Sequence, residues 1–212
     1  MKANGAVMES AEHTKAPPRR RMTEQDFVDW CDSETWAEWV DGEVILVSPV
    51  SRIHDDFFGF LLTLMRLYVE NHDMGVVLTE PMQVRLAEPL RRRSPDILFI
   101  QKAREKIIRE TWIEGPPDLI IEIVSPESVA RDWRDKYNDY EKAGVREYWI
   151  VDPNSRKVEA YSLNRSKRFQ LLPETTAGIQ SRALKGFFLK SEWLWQAKLP
   201  KVASILRQMN AL

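Results

Sequence analysis

The chain has one cysteine, Cys31, three histidines, eight glycines and no long apolar run in 212 residues. A single thiol excludes an internal disulfide framework, and His13, His54 and His72 show no ligand spacing, which argues against a zinc site. The sparse glycines form no phosphate-cradling loop, and the serines and histidines carry no hydrolase triad signature. No apolar stretch approaches the roughly 18 residues that a membrane span requires, and the first residues carry no secretion-signal core. A cytoplasmic setting without membrane attachment is therefore expected, and Cys31 reads as a small buried hydrophobe. Charge of one sign is lacking too: 31 basic residues stand against 32 acidic ones. Any polyanionic partner must be met by a local patch, because no global field attracts it.

The length and a hydrophobic content of 43% suffice for one globular domain with a full core. Residues 1–21, which end in Pro17, Pro18 and three arginines, read as a mobile tail; 22–190 read as the domain and 191–212 as a C-terminal helical extension. Thr23 followed by Asp26 and Phe27 predicts a short capped helix. Asp41-Gly42 between the runs 36–40 and 43–47 predicts a hairpin. Apolar residues at three- and four-residue steps over 54–71 predict a long amphipathic helix. Strand-like runs follow at 75–79, 82–86, 95–100 and 119–124, the last so apolar that it belongs at a sheet centre. A second helix over 129–143 ends at Gly144, before a strand at 147–151 and a hairpin of 157–161 with 169–172. Trp193, Trp195, Leu199, Val202, Ile205 and Leu206 suit either core packing or the interface of a homodimer. The class is mixed α and β.

Three charged residues stand out against this apolar framework. Asp96 opens one strand and Glu122 lies inside another, while Lys136 follows on the second helix; two acids on rigid strands beside a lysine are the parts of a metal-dependent phosphodiester-cleaving site. For each, a plainer reading stands beside this one. Asp96 could accept backbone N–H bonds in a turn, and Lys136 could form a surface ion pair with Asp132 one helical turn earlier. Glu122 is harder to set aside, because period-two alternation places it on one side with Ile120 and Val124, where a carboxylate needs a cation or a metal. Arg91, Arg92 and Arg93 lead into the Asp96 strand; they read as a solvated loop or as a DNA-contacting patch beside the site.

Ser94-Pro95-Asp96-Ile97, the run 115–128 around Glu122, Asp132 with Lys136, and Gly144 through Pro153 resemble the Uma-two family of restriction endonucleases, a branch of the PD-(D/E)XK nuclease superfamily. The likeness spans roughly 34–161 and includes Asp41-Gly42-Glu43 and Ser48-Pro49 ahead of His54. It implies a restriction-endonuclease-like α+β fold, a central mixed sheet flanked by helices, with an N-terminal hairpin. It further implies Asp96 and Glu122 as Mg²⁺ ligands, with Mn²⁺ as a substitute and no organic cofactor. Val124 occupies the position where the superfamily motif carries its lysine, so the resemblance points to Lys136 on the next helix. Glu43 then becomes a candidate third carboxylate and His54 a hydrogen-bond donor or proton carrier. DNA is the implied substrate; the alternative is an inactive nuclease fold that binds nucleic acid or protein.

Overall fold

The computed structural model describes residues 21–32, 35–46, 50–125 and 131–212, without the side chains of 131 and 132. Thr23 caps helix α1 (Glu24–Trp30) reciprocally: its hydroxyl accepts the Asp26 N–H while the Asp26 carboxylate accepts the Thr23 N–H. Strands β1 (Ala37–Val40) and β2 (Glu43–Leu46) form the hairpin, with Asp41 and Gly42 at φ of 50° and 86°. An Asp-Gly pair tolerates that left-handed turn, which matches the twist of the flanking strands. Helix α2 (Arg52–Asn71) buries Phe57, Leu61, Leu64, Met65 and Tyr68 at the spacing the sequence predicts.

Six strands follow: β3 (Gly75–Thr79), β4 (Gln83–Ala87), β5 (Leu90–Arg93), β6 (Ile97–Gln101), β7 (Trp112–Glu114) and β8 (Leu119–Ile123). The segment that carries Lys136 is a π-helical turn, Arg131–Lys136, and only then α-helical, α3 (Tyr137–Ala143). The helix start expected at Val129 lies outside the described residues, as do Val47, Ser48 and Pro49. Gly144 ends α3 in the left-handed conformation at φ 86°. The remainder comprises β9 (Glu147–Asp152), β10 (Lys157–Leu163), β11 (Phe169–Leu171), the short β12 (Glu174–Thr175), β13 (Gly178–Gln180) and β14 (Phe188–Leu189), and α4 (Val202–Gln208). No helix among the described residues is long and apolar enough to cross a membrane.

The central sheet is mixed and six-stranded, in the order β11-β10-β9-β8-β6-β3; β8 runs parallel to β9 and antiparallel to β6. Beside it stand a five-stranded sheet, β2-β1-β5-β4-β7, and a small three-stranded one. Alternation decides what each face of the central sheet meets. Odd-numbered Ile97, Phe99, Leu119, Ile121 and Ile123 share a cluster with Leu61 and Leu64 of α2 and with Ile205 and Leu206 of α4. Even-numbered Leu98, Ile100 and Ile120 pack with Val84, Leu86 and Ile113 of the five-stranded sheet and with Tyr140 of α3. Trp193 and Leu194 also lie in the first cluster, so much of the apolar C-terminal stretch is used inside the monomer.

Helix α1 is fastened to the five-stranded sheet by Glu24. Its carboxylate takes Arg85 through Nε at 2.6 Å and Nη2 at 2.9 Å, and Arg92 through Nε at 2.9 Å. The hydrogen bonds from Arg85 are the main cause that holds the Glu24 pKa below its ordinary value of 4.5. A depressed carboxyl stabilises the fold fully above its unfolded pKa and loses that contribution as pH falls through the folded one. Glu24→Gln should therefore cost about 1–2 kcal/mol at pH 7 in urea unfolding. The gap to wild type should narrow steadily below about pH 4.5; a gap that ignores pH would remove the charge from this account.

Candidate active site

Strand register places three acids in line. Thr79 of β3 pairs with Ile97 of β6, and Ile97 pairs with Ile121 of β8. Continued one residue past the ends of β3 and β6, the same registers set Asp96 between Glu80 and Glu122, a row of three acids at the sheet's edge of pairing. Direct cross-strand neighbours have Cβ atoms about 4.5–5.5 Å apart and share a face. Glu122 faces the even-numbered side, towards Tyr140 of α3 and Lys136, while Asp96 at the strand entrance meets His54 of α2.

Each carboxylate of the row has defined company. Asp96 Oδ2 accepts the Ile123 N–H at 2.6 Å and lies 3.3 Å from His54 Nε2. His54 reaches it because Ser51 caps α2, its hydroxyl accepting the His54 N–H at 3.2 Å, so the imidazole sits in the helix's first turn. Glu122 Oε1 accepts the Tyr140 hydroxyl at 2.9 Å, and Glu122 Oε2 lies 2.8 Å from Lys136 Nζ. Lys136 in turn lies 3.5 Å from Glu38 Oε1 on β1. Glu38 also accepts the Ser94 N–H at 3.1 Å and Arg93 Nη1 at 2.9 Å. The cluster is almost sealed: Glu122 is 2% exposed, Glu38 3%, Lys136 5% and Asp96 8%.

Among the described residues the carboxylates Glu38, Glu80, Asp96 and Glu122 outnumber the lysine and arginine beside them: Lys136 lies between Glu38 and Glu122, Arg93 meets Glu38, and Asp96 has His54. The strain shows at Glu80, whose pKa is pushed up to about 7 by burial and then by the Asp96 carboxylate, against the pull of His54 and Lys136. An excess of buried hard oxygen donors suits a divalent cation such as Mg²⁺. Among the described residues no three His, Cys, Asp or Glu side chains already converge as a cage. Both Glu122 oxygens are engaged, and Lys136 holds the position of counter-cation on Oε2. The donor chemistry fits a hard cation, which would have to compete with that ammonium.

Asp96, Glu122, Lys136 and His54, four residues singled out from sequence, are brought together. Glu43 is not: it sits exposed on the edge strand β2, where Arg21 faces its carboxylate at 3.4 Å. The hairpin acid in the cluster is Glu38, three residues before Asp41 of the turn. Arg91, Arg92 and Arg93 depart further from expectation. They form strand β5 and no loop, and acids already neutralise them: Asp41 holds Arg91 at 2.7 Å, Glu24 holds Arg92, and Glu38 and Asp139 hold Arg93, which is 1% exposed. Their charge is spent inside the fold, so they are poorly placed to meet phosphate.

Sequence reasoning missed Glu38, Glu80 and Tyr140. The argument applied to Glu122 reaches Glu38 as well, an acid that shares its side with Trp36 and Val40 in a strand-like run, but its partner Lys136 emerges only in the fold. Glu80 carries no local signal, because its neighbour in the row is known only once β3 is paired with β6.

A mixed sheet flanked by helices, with this element order, gives the chain a restriction-endonuclease-like α+β fold. It belongs to the Uma2 family, described as "putative restriction endonuclease", whose pattern matches residues 24–192. The crystal structure of a "putative nuclease belonging to DUF820" from Anabaena variabilis has a similar fold: TM-score 0.69 at 18% identity, covering 82% of this chain and 97% of that one. Comparison with curated proteins finds no match.

Proposed function

We propose that the chain is a Mg²⁺-dependent endonuclease that hydrolyses DNA phosphodiester bonds at the acid row. The observation that carries this reading is the pair Asp96 and Glu122 on adjacent strands, with the Lys136 ammonium 2.8 Å from Glu122. Asp96 and Glu122 would hold the cation, with Glu80 next in line, and Mn²⁺ should substitute because the donors are hard oxygens. When bound, the cation polarises a phosphoryl oxygen and makes water a better nucleophile at neutral pH.

The remaining side chains orient and neutralise. His54 and the Ile123 N–H fix the Asp96 carboxylate. The Tyr140 hydroxyl fixes Glu122; burial and that carboxylate push its pKa well up, so it remains a donor. Lys136, released from Glu122, stays tethered to Glu38, where its ammonium orients the attacking water and offsets charge that develops on the phosphate.

A second reading draws on the burial of Glu122 and Lys136: a nuclease fold that binds nucleic acid or protein without cutting. Supercoiled plasmid separates the two. The purified chain should nick it with Mg²⁺ or Mn²⁺, and chelation or Lys136→Ala should stop the reaction. No nicking across several metals and substrates would select the binding module.

A further inference from the structure

The acid row ends on the wall of a cavity that the proposed cutting chemistry does not use. This cavity, of about 580 Å³, lies between α1, α2 and the turn that joins β3 to β4, and both Glu80 and Ser94 line it. Ser94 lies two residues before Asp96 and donates its N–H to Glu38, so the pocket and the proposed metal clamp share a wall. The volume falls in the range of small-molecule sites.

Its surfaces divide by chemistry. Trp36, 49% exposed, and Val28, 38% exposed, present apolar area to solvent, and Pro81 and Met82 continue that surface. Glu110 and Glu80 are carboxylates there, so a phosphate inside the cavity would be repelled while an N–H edge would be accepted. Arg66 on α2 is exposed and has no acid paired to it among the described residues, in contrast to Arg91, Arg92 and Arg93. A flat π-face with N–H donors, attached to a phosphate that stays outside, is the description of a nucleobase.

We infer that this cavity takes an unpaired nucleobase from the strand next to the scissile phosphate, stacked on Trp36 with its backbone at Arg66. The inference rests on the nuclease reading for its substrate, and it adds a preference for single-stranded or extruded nucleotides that the acid row alone does not supply. Stacking on an aromatic side chain tolerates any base, because every base has a π-face.

The test uses the full chain in chelator, so that nothing is cut, and a ten-nucleotide single strand that carries 2-aminopurine, with its duplex as control. Binding should quench the 2-aminopurine emission. Trp36→Ala should abolish that quenching and weaken the single strand about tenfold, while Trp36→Phe, which keeps a stacking face, should retain most of both. Duplex affinity should change little. Equal binding and quenching by wild type and Trp36→Ala, or no binding of the single strand, would overturn the pocket. If plasmid nicking persists in that case, the nuclease reading survives without it. Quenching that depends on Trp36, with no nicking under any metal, would leave the base pocket standing and remove the catalytic reading.

Discussion

Asp96→Asn is expected to lower metal-dependent plasmid nicking by about 10³-fold, which corresponds to about 4 kcal/mol of lost transition-state stabilisation. Asp96 stands between Glu80 and Glu122 in the row, and its charge helps to raise the Glu80 pKa. Asparagine keeps the shape and an oxygen that can accept the Ile123 N–H, now 2.6 Å from Oδ2. It also relieves the repulsion that helps raise Glu80 to about 7. Stability should therefore hold or rise while activity collapses, an outcome general damage to the fold would not produce. A thermal scan supplies the independent readout. Mg²⁺ or Mn²⁺ should raise the wild-type melting temperature, because a ligand that binds only the folded state stabilises it, and should leave Asp96→Asn nearly unmoved. Wild-type nicking rates in this variant would exclude Asp96 from the site.

What could be read from sequence was whatever has a local cause. The 54–71 periodicity, the Asp-Gly turn and the aliphatic run of β8 each report on neighbours within a few residues, and each appears in the fold. Glu122 was legible for the same reason, since its alternation with Ile120 and Val124 is written in five residues. Arginines 91–93 were misread because their partners lie far away: Asp41, Glu24, Glu38 and Asp139 are separated from them by 46 residues or more. A triplet of arginines has no apolar alternation; pairing with β1 and β4 makes it a strand, and those distant acids neutralise it. Glu80 needed the β3–β6 register, and Glu38 needed both the β1–β5 pairing and Lys136. The π-helical turn at 131–136 likewise left no mark on the residue pattern, although it sets where the lysine arrives.

The largest stability effect is expected at Arg93. Its side chain is 2% exposed and joins two elements of the site: Nη1 meets Glu38 of β1 at 2.9 Å, while Nε and Nη2 meet Asp139 of α3 at 3.1 and 2.6 Å. Burial alone would lower the guanidinium pKa; Glu38 and Asp139 outweigh it, so the net direction is upward and the charge is retained. Arg93→Met takes the closest cation from two interior carboxylates, leaving Lys136 at 3.5 Å from Glu38 and Arg91 Nε at 3.8 Å from Asp139. Removing one partner of a buried ionic network costs about 3–5 kcal/mol, a large share of a typical domain's stability. Urea unfolding at pH 7 should show that loss as a lower midpoint with an unchanged slope. Arg93→Lys should recover only part of it, because one ammonium cannot replace a planar fork that serves both acids. Arg93→Met combined with Asp139→Asn should recover more than additivity allows, since the two sites touch. A midpoint shift below about 0.5 kcal/mol for Arg93→Met would mean that water reaches these acids and the interior is not sealed.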